Sequence, residues 1–509
     1  MKRGPPFAVF AVFARNYHYL LVLALAKAAA NFITCIMNHI STFISSPKRV
    51  ARWFSCSSLA LGFLLAPLLP PANAADSAFY LKPGDHVCFY GDSITEQRFY
   101  GVDVQTFART RFPDLKVKFV NSGVGGDRVT GGWAGPIDLR LKRDVFPFKP
   151  NIVTIMLGMN DAEYRAFDPQ VFATYTNGYE HIIQSLQKNL PGVRIVLIQP
   201  TPYDDVTEAP KFSGGYNAVL LRYSAFVRQL AGEHHLMCVD FMTPLLDVMK
   251  KAQAENPKLA HDVIPGRVHP SALGELVMAQ ALLQAWHAPA TVSSVRIDAA
   301  QSAVESSDNT TVTDLKTADG KTSWTQNDKS LPFPILGLHE DWPQFPPTEN
   351  NRWGQSFFFW PAPQPKWDHT NAAAAMIVKL SGFYEALNQE PLQVSGLPTG
   401  DYQLKINGQM VGKFPDWQLN DGINLAGYRT PMLEQSYQVL ALVWKQVAWR
   451  FYAWRDIQTR LMGDEDPQVQ QAADGLVAAL TTQKDRDAEQ QYTAARPQPT
   501  RYELVRVPE

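Results

Sequence analysis

The chain has 509 residues, which is more than one compact domain usually contains, so two or three domains are expected. Hydrophobic residues make up 46% of the chain and aromatic residues 11%, which is ample for a hydrophobic core. The net charge of −1 gives no indication of nucleic acid or an anionic membrane as a partner. No group of cysteines and histidines has zinc-ligand spacing and no glycine-rich phosphate loop is present, so we expect neither a metal nor an organic cofactor.

Residues 1–74 have the pattern of a targeting region. A basic group at residues 48–52 precedes an apolar stretch at residues 59–69, which is too short to span a bilayer comfortably. Ala72-Asn73-Ala74 then provides the small-x-small pattern of a signal cleavage site. We therefore expect a mature protein that starts near Ala75, is exported to a bacterial periplasm or beyond, and has no stable membrane insertion.

A second apolar stretch lies further upstream, at residues 7–37, where charged and polar side chains interrupt it. It is either a further membrane segment or part of an over-extended start, in which case Met37 is the true initiator. Both alternatives leave the predicted signal and its cleavage site in place.

Beyond the cleavage site, short apolar runs alternate with helical patterns. The runs predict five strands, at residues 87–90, 117–120, 152–157, 194–198 and 236–239. Between the third and fourth strands, one set of apolar residues keeps the three-four spacing of a buried helical stripe: Phe172, Tyr175, Tyr179, Ile182, Ile183 and Leu186. Further helices are predicted at residues 216–230 and 273–286. This alternation is typical of a parallel sheet with helices on both faces.

Four polar blocks carry the chemistry. Tyr-Gly-Asp-Ser-Ile-Thr-Glu at 90–96, Asn-Ser-Gly-Val-Gly-Gly-Asp at 121–127 and Gly-Met-Asn-Asp at 158–161 follow the first three predicted strands. Gly-Arg-Val-His-Pro at 266–270 precedes the last helix, whose N-cap is expected to be Ser271. Since the carboxyl ends of parallel strands lie at the same edge of a sheet, we expect the first three blocks to meet there.

The serine, glycine, asparagine and histidine of these blocks resemble those of the GDSL-type esterases known as SGNH hydrolases, over roughly residues 79–286. The resemblance implies a flavodoxin-like three-layer α/β sandwich with a five-stranded parallel sheet. It also implies that Ser93 is the nucleophile and that His269 is the general base. The oxyanion of the tetrahedral intermediate would be bound by the backbone N–H groups of Ser93 and Gly126 and by the side-chain amide of Asn160.

Other interpretations of the same residues stay open at this point. Gly123 and Gly125 compete with Gly126 for the second oxyanion position. A Gly-Gly-Asp turn after a strand is by itself an ordinary loop, and Asn160 is by itself a candidate helix N-cap. A histidine before a proline is by default a loop residue. The order of the four blocks favours the esterase interpretation over these separate ones.

One position departs from the family pattern. SGNH hydrolases carry an aspartate three residues before the histidine, where it orients the imidazole, and this chain has Gly266 there. The enzyme would then use a Ser–His dyad with a backbone carbonyl holding the ring, or another acid would substitute, Asp262 being the nearest in sequence. The third alternative is a site that binds without hydrolysing. Loss of the third member of a triad costs about 10⁴ in turnover when the imidazole tautomer is wrong.

The cysteines give no reason to expect a disulfide. Cys35 and Cys56 fall in the region removed with the signal, and Cys88 and Cys238 lie in the first and fifth predicted strands. In a sheet of order 2-1-3-4-5 these two strands are not neighbours, whereas a disulfide requires Cα atoms within about 7 Å. Both are therefore predicted to be buried thiols.

After a hydrolase domain at residues 75–289, a β-rich appended module is predicted at residues 290–432. Strands are indicated at 291–297, 392–394, 402–406 and 409–414, and Asp319-Gly320 and Asn407-Gly408 are strong hairpin signals. The proline-rich segment 332–368 carries four tryptophans: Trp342, Trp353, Trp360 and Trp367. Their rings either stack on sugar faces or pin down a long irregular loop.

Residues 433–509 are predicted to form C-terminal helices with a polar tail. An apolar stripe from Leu440 to Leu461 indicates one long helix, which packs on a core or lies on a membrane surface. A second helix is predicted at residues 467–480, followed by a mobile tail at 482–499 and an edge strand at 502–507.

These predictions indicate an exported serine esterase that cleaves O-acyl esters through an acyl-enzyme. Export and the aromatic-rich β module favour a carbohydrate esterase that removes acetyl groups from a plant or microbial polysaccharide. A lipase-type or thioesterase substrate is the alternative within this class of enzyme. A carbohydrate-binding protein whose catalysis lapsed with Gly266 is the alternative outside it, because fold alone does not choose a function.

Overall fold

The structure is a computed structural model that describes residues 78–336, 338, 371–461 and 466–508. The predicted targeting region and its cleavage site lie outside the described residues. The four tryptophans of the proline-rich segment also lie outside them, so the two interpretations of those rings stay predictions. Among the described residues, no helix has both the length and the apolar character needed to cross a membrane.

A five-stranded parallel sheet forms the centre of the N-terminal part. Its strands are β1 (His86–Gly91), β2 (Lys118–Asn121), β3 (Ile152–Met156), β4 (Arg194–Ile198) and β5 (Met237–Val239). Their order across the sheet is β2-β1-β3-β4-β5, and every neighbouring pair is parallel. The five predicted strands and the flavodoxin-like fold are therefore confirmed. These strands are apolar runs because both faces are covered, and all of β3 is buried.

Helices connect the strands and cover the sheet. They are α1 (Ser93–Gln97), α2 (Phe99–Arg111), α3 (Ile137–Asp144), α4 (Pro169–Asn189), α5 (Gly215–Glu233), α6 (Met242–Glu255), α7 (Pro257–Ala260) and α8 (Ala272–Ala285). The predicted stripe of α4 is buried, except that Phe172 at its N-terminal end is only partly buried. Ser271 caps α8 as predicted, because its Oγ accepts the N–H of Gly274 at 3.3 Å.

The two cysteines of the sheet are free thiols. Cys88 lies on β1 and Cys238 on β5, and β3 and β4 separate these strands, so the predicted absence of a bridge between them is confirmed. Cys88 is buried as predicted, but Cys238 is only partly buried, because β5 is the edge strand of the sheet and is less well covered.

Two further sheets follow along the chain. Their strands are β6 (Ser294–Asp298), β7 (Ala303–Asp308), β8 (Thr310–Ala318), β9 (Lys321–Asp328), β10 (Pro391–Ser395), β11 (Asp401–Ile406), β12 (Gln409–Pro415), β13 (Ile423–Asn424) and β14 (Thr500–Arg506). One sheet has the order β8-β9-β14-β11-β12 and the other β13-β10-β6-β7. The short helices α9 (Asn371–Ser381), α10 (Phe383–Leu387) and α11 (Asp416–Asp421) lie between these strands along the chain.

Both predicted hairpins are present. Asp319 and Gly320 connect β8 to β9 with φ of 51° and 74°, and Asn407 and Gly408 connect β11 to β12 with φ of 53° and 81°. Positive φ at both central residues defines the type I′ turn, which matches the twist of the strands and favours Asn-Gly and Asp-Gly sequences.

The last strand differs from its prediction. β14 lies in the middle of its sheet, paired on both sides with β9 and β11, rather than at an edge. Its inward residues Tyr502 and Leu504 are fully buried, and the Tyr502 ring stacks on Trp324 at a centroid distance of 4.9 Å. A strand at the chain terminus reaches the centre of a sheet only when distant segments leave a gap for it, which a local pattern does not show.

The C-terminal helices are α12 (Pro431–Phe451), a π-helix at Tyr452–Gln458 and α13 (Pro467–Ala494). The apolar stripe of α12 is buried in one hydrophobic core with the β-rich part, which supports core packing over a membrane-surface helix. Most of the predicted mobile tail, up to Ala494, is instead the C-terminal half of α13. Its polar residues Asp487 and Gln491 are fully buried, where they hydrogen bond to α12 through Lys445, Trp449 and Gln446. Polarity there reflects buried hydrogen bonding and not exposure to solvent.

Candidate active site

Ser93 is the first residue of α1, and one residue separates it from the end of β1. The preceding residue, Asp92, caps this helix, since its Oδ1 accepts the N–H of Ile94 at 2.9 Å. At the end of the strand, a Cβ on Gly91 would lie 2.8 Å from the carbonyl oxygen of Met156, so only glycine fits this strand-to-helix turn. Burial raises the pKa of Asp92 to about 8. The serine is therefore held at the carboxyl edge of the sheet by a capped helix and a close-packed strand end.

His269 lies beside the serine. Its Nε2 is 2.8 Å from Ser93 Oγ, across 176 residues of sequence. The histidine lies two residues before Ser271, which caps α8, so the backbone at this position is anchored by the start of that helix. Burial lowers the pKa of His269, because the charged imidazolium is less well solvated there. The ring is therefore neutral near pH 7 and able to accept the serine proton.

A tight turn follows β2 at residues 124–127. The N–H of Asp127 donates to the carbonyl of Val124 at 3.1 Å, and Gly126, the third residue of the turn, has φ of 78°. That value is the one a type II turn requires at its third residue, which explains glycine at this position. A Cβ on Gly126 would meet nothing within 4 Å, so the requirement is conformational and not steric.

The three glycines of this block differ in the use of their N–H groups. Gly123 donates to Asn121 Oδ1 at 3.0 Å, and Gly125 donates to Glu96 Oε2 at 2.7 Å. The N–H of Gly126 has no acceptor among the described residues, and the same is true of the N–H of Ser93. Of the three candidates, Gly126 is therefore the one whose N–H is available to a ligand.

Asn160 follows β3 and is 8% exposed. Its Nδ2 donates to the carbonyl of Asp127 at 3.1 Å, which places the amide beside the turn at 124–127. Its Oδ1 accepts the hydroxyl hydrogen of Tyr164 at 2.8 Å. An amide nitrogen carries two hydrogens, so one remains for a ligand. No helix begins at Asn160, which removes the N-cap interpretation.

The position of the usual aspartate is occupied by an exposed turn. Gly266 has φ of 69° and nothing within 4 Å of the place of a Cβ. Asp262 lies in the turn after α7, where its N–H donates to the carbonyl of Leu259 at 3.0 Å. No hydrogen bond between described residues joins the Asp262 carboxylate to His269. The role of Asp262 as a third member stays a prediction.

Several residues around the site have no counterpart in the sequence-based prediction. Tyr164, which hydrogen bonds to Asn160, is a single tyrosine without a motif. Trp133 contacts the turn at 124–127 from outside the four blocks, and Arg455 contacts Trp133. Glu96 lies within the first block, three residues after Ser93, but its partner Arg455 is 359 residues away in sequence. Only Glu96 had a sequence signal, namely its place in the block.

One group of described residues has the composition of a metal site. The ligand atoms of Asp204, Glu208 and His261 lie within 4.8 Å of one another. However, Glu208 is paired with Arg267 at 2.5 Å, and Asp204 Oδ1 accepts the N–H groups of residues 206 and 207. The protein itself satisfies these carboxylates, so the group gives no reason to assign a cation.

Comparison with known proteins leads to the family that the sequence resembles. Residues 89–276 match the sequence model of the GDSL-like Lipase/Acylhydrolase family. A related protein, the acetylxylan esterase of Geobacillus stearothermophilus, is 28% identical over 220 residues, which are 40% of this chain and 93% of that protein. The family resemblance inferred from the sequence and the expected class of ester hydrolase are thereby confirmed.

The fold extends beyond the matched segment. A solved structure of a gut microbial diltiazem-metabolizing enzyme has a TM-score of 0.68 and 23% identity, over 84% of this chain and 98% of that one. This likeness concerns the fold alone. It extends well beyond residues 89–276.

Proposed function

On the premise that residues 89–276 form an ester hydrolase domain of the GDSL-like family, we propose that the protein is an exported serine esterase that removes acetyl groups from carbohydrates. The observation that carries the proposal is the contact of 2.8 Å between Ser93 Oγ and His269 Nε2. The acetylxylan esterase relative supports acetylated sugar as the substrate class. The boundaries of the three parts, at residues 75–289, 290–432 and 433–509, belong to the same proposal.

The proposed reaction has two halves. Ser93 Oγ attacks the ester carbonyl while His269 Nε2 takes the hydroxyl proton, which forms a tetrahedral oxyanion. The N–H groups of Ser93 and Gly126 and the amide of Asn160 bind this oxyanion. When the intermediate collapses, His269 returns the proton to the sugar oxygen, the ester C–O bond breaks and Ser93 remains acylated.

The second half repeats these steps with water. His269 takes a proton from a water molecule, whose oxygen attacks the acyl-enzyme, and then returns that proton to Ser93 as the acid is released. In this scheme the ring of His269 must be neutral at the start of each half. Its lowered pKa favours that state near neutral pH.

The test compares hydrolysis of p-nitrophenyl acetate by the protein and by Ser93→Ala. We expect the variant to lose turnover and to keep the thermal unfolding temperature of the wild type, because Ser93 Oγ contacts His269 and not the core. Release of acetate from acetylated xylo-oligosaccharides, compared with turnover of long-chain esters, then distinguishes the carbohydrate esterase from a lipase-type enzyme. A folded wild type without esterase activity and without fluorophosphonate labelling of Ser93 would contradict the proposal and favour a binding protein.

Export is tested separately by the N-terminal sequence of the protein in its native host. A mature chain that begins near Ala75 in the periplasm or the medium is the expected result. A cytoplasmic chain that retains residues 48–74 would contradict it.

A further inference from the structure

The central peptide of the turn at 124–127 joins Gly125 to Gly126. Type I and type II turns differ by a flip of their central peptide, and the positive φ of 78° at Gly126 belongs to type II. In a planar trans peptide, the carbonyl of Gly125 and the N–H of Gly126 point in opposite directions. Any group that holds the carbonyl therefore also fixes the direction of the N–H.

Trp133 holds this carbonyl. Its indole Nε1–H donates to the Gly125 oxygen at 2.9 Å, although the side chain is 57% exposed. The other side of Gly125 is held as well, because its N–H donates to Glu96 Oε2 at 2.7 Å. The side chain of tryptophan has one polar atom, and in Trp133 this atom donates to the Gly125 carbonyl. Trp133 is therefore well placed to set the orientation of the turn.

Arg455, from the C-terminal π-helix, contacts both of these partners. Its Nε donates to Glu96 Oε1 at 2.7 Å, and its Cζ lies 4.1 Å from the centroid of the Trp133 ring. The side chain is 3% exposed, and its Nη1 and Nη2 have no hydrogen-bond partner within the described part of the chain. The guanidinium thus meets an aromatic face instead of further acceptors, which is a favourable cation–π geometry.

A second chain of contacts supports the same turn from the neighbouring residue. Trp454 Nε1 donates to Asp144 Oδ1 at 2.6 Å, Asp144 is paired with Arg140, and Arg140 Nε donates to Asp127 Oδ2 at 2.7 Å. Asp127 is the last residue of the turn. Adjacent residues of the π-helix are therefore connected through intermediate side chains to Gly125 and to Asp127, and π-helical segments are found frequently at functional sites.

We propose that Trp133 and Arg455 are positioning residues for the oxyanion hole. The indole N–H keeps the peptide in the type II orientation, and Arg455 holds both the indole ring and the carboxylate of Glu96. Donation to the Gly125 carbonyl also polarises the peptide, which makes the N–H of Gly126 a stronger donor. This inference rests on the proposed role of Gly126. It makes the C-terminal helices part of the catalytic unit.

The first experiment measures kcat and KM of Trp133→Phe with p-nitrophenyl acetate. Phenylalanine keeps an aromatic face for Arg455 and removes the N–H donor. We expect kcat to fall about tenfold, less than the 10²–10³ that loss of an oxyanion donor itself costs, with KM unchanged. The matched control is Trp417→Phe, because Trp417 is a tryptophan of similar exposure, 62%, in the β-rich part.

The second experiment uses Arg455→Gln and Arg455→Lys. The glutamine variant loses the ion pair and should lower kcat to a similar extent, while lysine keeps the charge and should recover most of it. Arg460→Gln is the control, since it removes a cation close to the same π-helix without touching the turn. The double variant Trp133→Phe/Arg455→Gln should be no slower than the worse single variant, because both act on one peptide.

The outcomes separate this inference from the proposed function. If turnover depends on Ser93 but Trp133→Phe has the kcat of the wild type, the positioning role is wrong and the esterase assignment stands. A raised KM for acetylated oligosaccharide with unchanged kcat would also overturn it, in favour of a substrate platform. Multiplicative effects in the double variant would show two independent structural losses. If Ser93→Ala retains full turnover, the proposed function itself fails.

Discussion

Gly126→Ala tests the oxyanion turn by changing its backbone preference alone. A methyl group at this position meets nothing within 4 Å, so no contact is lost or forced. The change acts through φ, which is 78° in the folded protein and disfavours residues with a Cβ by about 1–2 kcal/mol. That free energy corresponds to a factor of about 5–30 in the equilibrium between the type II turn and its flipped form. The flipped form has no N–H for the oxyanion.

We therefore expect kcat for p-nitrophenyl acetate to fall about tenfold in Gly126→Ala, which is less than the 10²–10³ that complete loss of one oxyanion donor costs. The matched control is Gly192→Ala, because Gly192 has φ of 80° and also has open space around its Cβ position, but lies in the loop after α4. Both variants should lose about 1–2 kcal/mol in the free energy of unfolding, measured by urea titration.

Only the variant at the turn should lose activity. If Gly126→Ala and Gly192→Ala lose the same stability and both keep the kcat of the wild type, the N–H of Gly126 does not contribute to catalysis. If Gly126→Ala raises KM and leaves kcat unchanged, the turn contacts the substrate in its ground state.

Three further predictions follow from the site. Burial lowers the pKa of His269 below its ordinary 6.5. As the pH falls, kcat/KM should therefore remain constant down to pH 6.5 and decrease only at lower pH, where the imidazole becomes protonated. A midpoint of this decrease above pH 6.5 would contradict the burial of His269. Asn160→Ala should lower kcat by about 10²–10³, because it removes an oxyanion donor. Tyr164→Phe removes only the hydrogen bond to the amide oxygen of Asn160 and should lower kcat far less. Equal losses of kcat in steady-state kinetics would show that Tyr164 acts directly. The pKa of Asp92 is raised from 3.8 to about 8. Between these two pH values the folded chain binds more protons than the unfolded chain. The free energy of unfolding should therefore fall as the pH rises through this range, by on the order of 1 kcal/mol per pH unit. Asp92→Asn keeps the cap on Ile94 and should reduce this pH dependence in calorimetry, and an unchanged dependence would assign it to other groups.

The sequence by itself determined the features that depend on one short segment at a time. Each strand of the parallel sheet is a continuous apolar run because both of its faces are buried, and Ser93, Gly126 and Asn160 stand out because each closely follows such a run. The two hairpins were predictable for the same reason, since Asn-Gly and Asp-Gly prefer the positive φ values that their turns require.

Only the tertiary structure decided which distant segments meet. The strand at the chain terminus lies in the centre of a sheet, and the polar residues of α13 are buried against α12, because hydrogen bonds between segments replace solvent there. The contact between Arg455 and Glu96 spans 359 residues, and no local pattern encodes it. Periodicity reports whether a segment is buried, whereas the partner that buries it depends on how the whole chain packs.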